Sequence, residues 1–297
     1  MYSTTVRISL VLLMFFVILS SFAWLEADEV DLSRVQTEQV VYRRVDGMEL
    51  TMDLYLPEGE ASGKKRPAVA WFHGGSWRNG SPRQFRRQSQ FLASQGLVCA
   101  SVRYRLSGEA PFPAGLSDAK CAVRFMRAHA AKYGVDPDRI AVGGGSAGGH
   151  LAMMVGLTPG KYEDGPYGKF SSRANLLIGF NPVFDLRQGC IVKAVQQWLD
   201  AKAPTAEQLA AISPIVHVTR DAPPTLLMHG TRDNTVPFAQ AEAMRDVLAR
   251  HGVAVTLFAA EGQGHGWFNR GKGFTTTLEQ VTAFLWKNGF GLKSEGK

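Results

Sequence analysis

Cysteine is scarce: three occur in 297 residues. Cys99, Cys121 and Cys190 lie far apart, outside any CxxC pair or Cys/His ligand spacing, which excludes the usual zinc sites and a disulfide framework. At most one disulfide could form, and Cys99 in a strand-like run and Cys121 in a helix-like run read as buried free thiols. Internal repeats, low-complexity tracts and interdomain linkers are also missing after about residue 38, which argues against solenoids and multi-domain arrays. No block of single-sign charge occurs. The 33 Lys and Arg against 26 Asp and Glu give +7, with the basic residues scattered along the chain; this suits a solvated face first and an acidic polymer or surface second. No nucleic-acid partner is expected. With 45% hydrophobic and 20% charged residues, the chain is neither disordered, collagen-like nor a multi-span membrane protein. Its length allows two domains or one large α/β domain of about 250 residues or more.

One long apolar run is present, at the start. Residues 8–19 are apolar except Ser9, follow Arg7, and lead into Ser20, Ser21, Phe22 and Ala23. Ser21 and Ala23 satisfy a small-x-small cleavage site and Ala27 offers a second one, so residues 1–27 are expected to be a secretory signal peptide. The protein would then be secreted or periplasmic, with no stable membrane partner. An uncleaved anchor is the alternative, because residues 8–25 are just long enough to span a bilayer if tilted. Residues 28–297 then form a single domain.

Residues 40–45 and 49–56 read as strands around the turn Asp46-Gly47, an antiparallel hairpin. After Pro67 the pattern changes. Apolar runs at 68–72, 97–102, 140–142, 176–180, 225–228 and 253–258 alternate with helix-like segments at 83–94, 116–133, 147–156, 238–250 and 274–286. This alternation calls for an α/β fold, a mostly parallel central sheet with helices on both faces. In such sheets ligands bind where strands end and helices begin. Residues 186–223, with a helix expected at 193–200, interrupt the alternation and form a candidate cap.

The run Gly143-Gly144-Gly145-Ser146-Ala147-Gly148-Gly149 joins a strand to an apolar helix. It carries the G-x-S-x-G pattern of a nucleophile elbow centred on Ser146. Glycines at 144 and 148 fit because side chains would collide with neighbouring backbone in so tight a turn. The same run satisfies G-x-G-x-x-G through Gly143, Gly145 and Gly148, but three strand candidates of the sheet precede it and no acidic residue ends a following strand, which disfavours a dinucleotide loop. A serine nucleophile needs a base. Among seven histidines, His265 in Gly264-His265-Gly266, just past the last strand, is best placed to supply one. His73 and His229 suit bracing roles in their loops, and His129, His150, His217 and His251 suit structural or solvated ones. The imidazole needs a carboxylate. Asp233, in His229-Gly230-Thr231-Arg232-Asp233, follows the penultimate strand and gives the chain order Ser146, Asp233, His265. Asp185 is the rival acid, and Asp118, on a helix, reads as structural. His73-Gly74-Gly75-Ser76-Trp77 follows strand 68–72, so an oxyanion hole would draw on Gly74 or Gly75 together with Ala147. Trp77 and Trp267 are candidate substrate-binding walls. Neither metal nor cofactor is expected.

The motifs His73-Gly74-Gly75-Ser76-Trp77, Tyr104-Arg105-Leu106, Asp136-Pro137-Asp138-Arg139-Ile140, Gly144-Gly145-Ser146-Ala147-Gly148-Gly149-His150, His229-Gly230-Thr231-Arg232-Asp233 and Gly264-His265-Gly266 resemble, in this order, the α/β-hydrolase superfamily. Within it, residues 40–290 resemble secreted esterases of the bifunctional feruloyl and acetyl xylan esterase type. The resemblance implies a serine esterase releasing short acyl, acetyl or feruloyl groups, with plant polysaccharide as the expected substrate. Ser76 departs from the HGGG loop of hormone-sensitive-lipase-like esterases, and HGGxW is shared with arylformamidase-like enzymes. An amidase of that kind and a lipolytic carboxylesterase therefore remain alternatives. A catalytically silent binding protein on the same fold is the non-enzyme alternative.

Overall fold

The computed structural model describes residues 34–59, 63 and 65–291; the expected signal peptide lies outside them. Among these residues eight strands form one sheet: β1 (Val35–Val45), β2 (Met48–Pro57), β3 (Arg66–Phe72), β4 (Val98–Val102), β5 (Val135–Gly145), β6 (Leu176–Phe180), β7 (Thr225–Gly230) and β8 (Val255–Ala260). Their order across the sheet is β1-β2-β4-β3-β5-β6-β7-β8. The β1/β2 and β2/β4 pairs are antiparallel and every pair from β4 onward is parallel. This is the expected α/β-hydrolase architecture.

The helices are α1 (Arg86–Ser94), α2 (Ala114–Ala128), α3 (Ala130–Tyr133), α4 (Ala147–Leu157), α5 (Val192–Leu199), α6 (Ala206–Ala211), α7 (Phe238–Arg250) and α8 (Gly271–Lys287). Side-chain alternation along the strands feeds two separate cores. Ala68, Ala70 and Phe72 of β3 join Val98 and Ala100 of β4 and Ile140 and Val142 of β5 in a core that also takes Leu116 of α2, Leu151 of α4 and Met244 of α7. Val69 and Trp71 of β3, Cys99 of β4 and Ala141 of β5 face the other way, onto Leu92 of α1 and Val281 and Leu285 of α8. Because both faces are covered, the middles of the central strands are mostly apolar, as their sequences anticipate.

Several boundaries differ from the sequence reading: β1 starts at Val35 rather than 40 and β5 runs from Val135 to Gly145 rather than 140–142. The last strand begins at Val255 rather than 253, because Gly252 takes a left-handed φ of 73° and the Val253 N–H returns to the Leu248 carbonyl, closing α7. The helix expected over 116–133 is broken at His129, whose Nδ1 donates to the Phe125 carbonyl at 3.0 Å and separates α2 from α3. The helix expected from 83 begins instead as a 3-10 turn, Pro82–Phe85. In the cap candidate, the expected helix at 193–200 is α5, and the Thr205/Gln208 capping box starts α6.

Asp118 is fully buried on α2, 3.1 Å from Arg43 and 2.9 Å from Arg105. It pins the first strand and the segment after β4 to α2, a structural position. The three cysteines are free thiols. No helix among the described residues is long and apolar enough to cross a membrane.

Candidate active site

At the end of β5 the chain turns directly into α4, and Ser146 sits at the junction with φ 52° and ψ −119°. A non-glycine residue in the left-handed region is strained. The strain is held by the Ser146 N–H donating to the Phe180 carbonyl at 2.8 Å and by the His150 N–H returning to the Ser146 carbonyl at 2.9 Å. The turn exists only because its flanks are bare. A Cβ on Gly148 would overlap the carbonyl oxygens of Phe72 and His73.

Ser146 Oγ lies 2.9 Å from His265 Nε2, and His265 Nδ1 lies 2.7 Å from Asp233 Oδ2. Residues 87 and 32 positions apart in sequence are thereby joined in one relay at the C-terminal edge of β5, β7 and β8. Asp233 is tightly held. Its Oδ1 accepts the N–H groups of Thr235 (2.8 Å) and Val236 (2.9 Å), and its Oδ2 accepts Asn181 Nδ2 at 2.6 Å. His229 Nε2 donates to the Val236 carbonyl at 2.9 Å and lies 3.3 Å from Asp233 Oδ2. Burial alone would raise the Asp233 pKa. The bonds from His229, His265, the Val236 N–H and Asn181 outweigh it and hold the carboxyl well below the usual carboxylate range. Asp233 is therefore an anion facing the imidazole. His265 is only partly buried, so its far edge is open to a reactant.

The rival acid is engaged elsewhere. Asp185 caps the 3-10 turn Leu186–Gln188 and pairs with Arg187 at 2.8 Å. The other histidines are each used locally: His150 bonds the Ile212 carbonyl, His217 the Ala211 carbonyl, and His129 and His251 carbonyls of their own helices.

The expected oxyanion hole asks for two free backbone donors near Ser146. Ala147 is the first residue of α4, so its N–H has no acceptor inside the helix. In the loop after β3, Gly74 was one of two candidates, but its N–H already donates to Gln84 Oε1 at 2.6 Å. Gly75 is left. His73 Nδ1 lies 2.8 Å from the Gly74 carbonyl, and because C=O and N–H oppose each other across a trans peptide, this bond turns the Gly75 N–H away from His73. Burial pushes the His73 pKa down to about 4, against the opposing effect of the Gly74 bond, so the ring is neutral at pH 7. It stacks on Tyr104 at 4.4 Å, and the Tyr104 hydroxyl donates to the His73 carbonyl at 2.7 Å. Gly75 itself has φ 117°, and a Cβ there would strike Asn79.

The two tryptophans separate. Trp267 is partly exposed, and its Nε1 donates to Asn181 Oδ1 at 3.0 Å. Trp77 is fully buried, stacked on Trp198 of α5 at 4.5 Å and edge-on to His150. With no face open to solvent, it is a wedge between the cap segment and the loop after β3 rather than a pocket wall.

Two further residues escaped the sequence reading. Asn181, buried directly after β6, bonds Trp267 on one side and Asp233 on the other. Its place just past a strand end is the signal that could have found it. Gln84 ties Gly74 to Asn269, through Nε2 to Asn269 Oδ1 at 3.2 Å, and so links the loop after β3 to the loop of His265. Among the described residues no group of three His, Cys, Asp or Glu side chains could hold a metal ion.

The chain is similar to known esterases. The chain is 34% identical to a thermophilic esterase from the planctomycete Thermogutta terrifontis, with a TM-score of 0.78 over 90% of this chain and 96% of that one. It is 33% identical over 220 residues to esterase LipC of Mycobacterium tuberculosis, covering 69% of this chain and 54% of LipC. It is 32% identical over 193 residues to the probable carboxylic ester hydrolase LipM of the same organism, covering 61% of this chain and 44% of LipM. The chain thus spans about half the length of these two curated relatives. The BD-FAE family model matches residues 52–248, from the second strand through α7 and including both Ser146 and Asp233. The chain belongs to the BD-FAE family and has the α/β-hydrolase fold.

Proposed function

We propose that this chain is a serine carboxylic-ester hydrolase with Ser146 as nucleophile, His265 as general base and acid, and Asp233 as the carboxylate that orients and charges the imidazole. The observation that carries the reading is the continuous relay Ser146–His265–Asp233 at 2.9 and 2.7 Å. In this mechanism His265 Nε2 takes the Ser146 proton as Oγ attacks the ester carbonyl. Negative charge on the carbonyl oxygen is met by the N–H groups of Ala147 and Gly75. Collapse expels the alcohol, which takes its proton from His265. Water, activated by the same imidazole, then releases the acid and restores the serine.

For the substrate, we favour short acyl groups, acetyl or feruloyl, on plant polysaccharide, with the protein exported. The resemblance of the motifs and the apolar segment of residues 8–19 support this choice. The similar T. terrifontis esterase has been solved with butyrate bound, which supports a short acyl pocket. A lipolytic carboxylesterase is the second reading, favoured by the likeness to esterase LipC and to the probable carboxylic ester hydrolase LipM. Each buried methylene is worth about 0.8 kcal/mol, so an extended lipid pocket would raise kcat/KM with chain length. We expect acetyl and butyryl p-nitrophenyl esters to outrun decanoyl, and acetate or ferulate to be released from xylan fragments. A maximum at ten carbons or more without release from xylan selects the lipolytic reading.

A further inference from the structure

The catalytic relay leaves the basic excess of the chain unused. Part of that excess is concentrated where two segments meet. Arg83, Arg86 and Arg87 are exposed on the 3-10 turn Pro82–Phe85 and the start of α1, and Arg270 and Lys272 are exposed at the start of α8. The segments are fastened together by the Gln84–Asn269 hydrogen bond and by the Arg87 guanidinium, 3.8 Å from the centre of the Phe274 ring. Among the described residues no carboxylate lies within ion-pair distance of any of the five cations. Elsewhere on the described surface some arginines pair, Arg44 with Glu49, Arg187 with Asp185 and Arg245 with Asp246, while Arg78, Arg173, Arg232 and Arg250 stand singly, so the rim differs in bringing five such cations together.

The fold does not ask for these charges. Neither α1 nor α8 has an acidic residue in its first turn. Cations near a helix N-terminus face partial positive charge, and they also repel one another. Arg87 packs its guanidinium on the Phe274 ring. A local choice that opposes stability without a structural return is characteristic of a functional surface.

The rim also borders the reaction centre. Gln84, between Arg83 and Arg86, accepts the Gly74 N–H, and a Cβ at Gly74 would be 3.4 Å from that of Ser146. Asn269, beside Arg270, donates to the Gly266 carbonyl, one residue from His265. From these placements, and resting on the polysaccharide reading above, we infer that Arg83, Arg86, Arg87, Arg270 and Lys272 form a docking rim for the carboxylates of an anionic polysaccharide, holding its ester groups at Ser146. Four of the five are arginines, whose planar forks suit bidentate carboxylate recognition. Charges spread over two segments suit a ligand with repeated anions. A lipid surface fits less well, since the exposed large apolar residues among those described are Phe170, Val192 and Val216, none of them on the rim.

The test compares three substrates with the full chain and with the combined variant Arg83→Gln, Arg86→Gln, Arg270→Gln and Lys272→Gln; Arg87 is kept for its packing. The substrates are acetylated oligogalacturonides, acetylated neutral xylo-oligosaccharides and p-nitrophenyl acetate. At low salt kcat/KM should be about tenfold higher for the acidic oligomer than for the neutral one, through electrostatic capture. That advantage should vanish near 1 M salt, where screening acts within about 3 Å, and in the variant, while p-nitrophenyl acetate turnover stays within about twofold. Equal rates on the two oligomers, or an equal loss on p-nitrophenyl acetate, overturns the inference. If neither oligomer is deacetylated, the polysaccharide reading fails by itself, and titration of Ser146→Ala with unesterified oligogalacturonide decides the rim. Binding that disappears when the four substitutions are added retains it, and no binding ends it. Association with phosphatidylserine vesicles but not with the oligomer also overturns it.

Discussion

Replacing Asn181 by glycine separates the orientation of Asp233 from its charge. Asn181 holds φ 47°, so glycine relieves backbone strain that alanine would keep, and the substitution removes only the amide. Two bonds are lost: the 2.6 Å donation to Asp233 Oδ2 and the 3.0 Å acceptance from Trp267 Nε1. A hydrogen bond to a buried charge contributes about 1.5–3 kcal/mol, whereas Asp233 keeps its two backbone donors and His229, so we expect a stability loss near the lower end, about 1.5–2 kcal/mol. In catalysis the carboxylate stays charged but gains freedom to rotate beneath His265. We expect kcat to fall on the order of ten- to thirtyfold, about 1.4–2 kcal/mol of transition-state stabilisation. KM for p-nitrophenyl acetate should change by much less, and the acid limb of the kcat/KM profile should move upward as the carboxylate loses a donor. Urea unfolding, steady-state kinetics and the pH profile read all three. A variant that is destabilised yet keeps wild-type kcat and an unmoved acid limb refutes the positioning argument and makes Asn181 purely structural.

Asp233→Asn should lower kcat on the order of 10³- to 10⁴-fold by analogy with serine-protease triads, while Asp185→Asn, which unpairs Arg187, should be far milder; the opposite ranking in steady-state assays transfers the acid role to Asp185. Gly148→Ala should destabilise by at least about 3 kcal/mol in urea titration, because its Cβ meets backbone carbonyls that no rotamer can move aside; a folded protein of normal stability contradicts the elbow geometry. Stability should fall on acidification. Burial depresses His73 and His150 to about 4, so the unfolded chain binds protons that the folded chain refuses between about pH 6.5 and 4. The stabilisation is present above the unfolded value near 6.5 and is lost as pH falls, by about 2 kcal/mol per histidine between pH 7 and 5. Urea midpoints that stay level over that range, or a His150→Phe variant with the same slope as wild type, contradict the burial of neutral imidazoles.

The central strands were legible because burial on both faces makes their sequences apolar throughout, as in Ala68 to Phe72 and Leu176 to Phe180. Ser146, Asp233 and His265 were legible as positions because each follows a strand within a glycine-rich turn, and topology brings strand ends to one edge. What sequence pattern does not carry is pairwise contact across the fold. Asn181 is marked only by its place just past a strand end and Gln84 by nothing; their partners, Trp267, Asp233 and Asn269, are distant in the chain. For the same reason Gly74 and Gly75 were equivalent until the Gln84 side chain claimed one of them. Trp77 beside a loop glycine looks like a pocket aromatic, and only its stacking on Trp198, 121 residues away, places it in the core.

The claim on which the rest depends is that Ser146 forms a covalent bond to the acyl group, and labelling measures it most directly. Paraoxon is a suitable reagent, since the related T. terrifontis esterase has been solved phosphorylated by it. Peptide mass spectrometry of the inactivated protein should find one phosphoryl group per chain, on the peptide containing Ser146, with labelling and activity loss proceeding together and no label in Ser146→Ala. Inactivation with the label on another residue, or full esterase activity in the unlabelled Ser146→Ala protein, contradicts the mechanism.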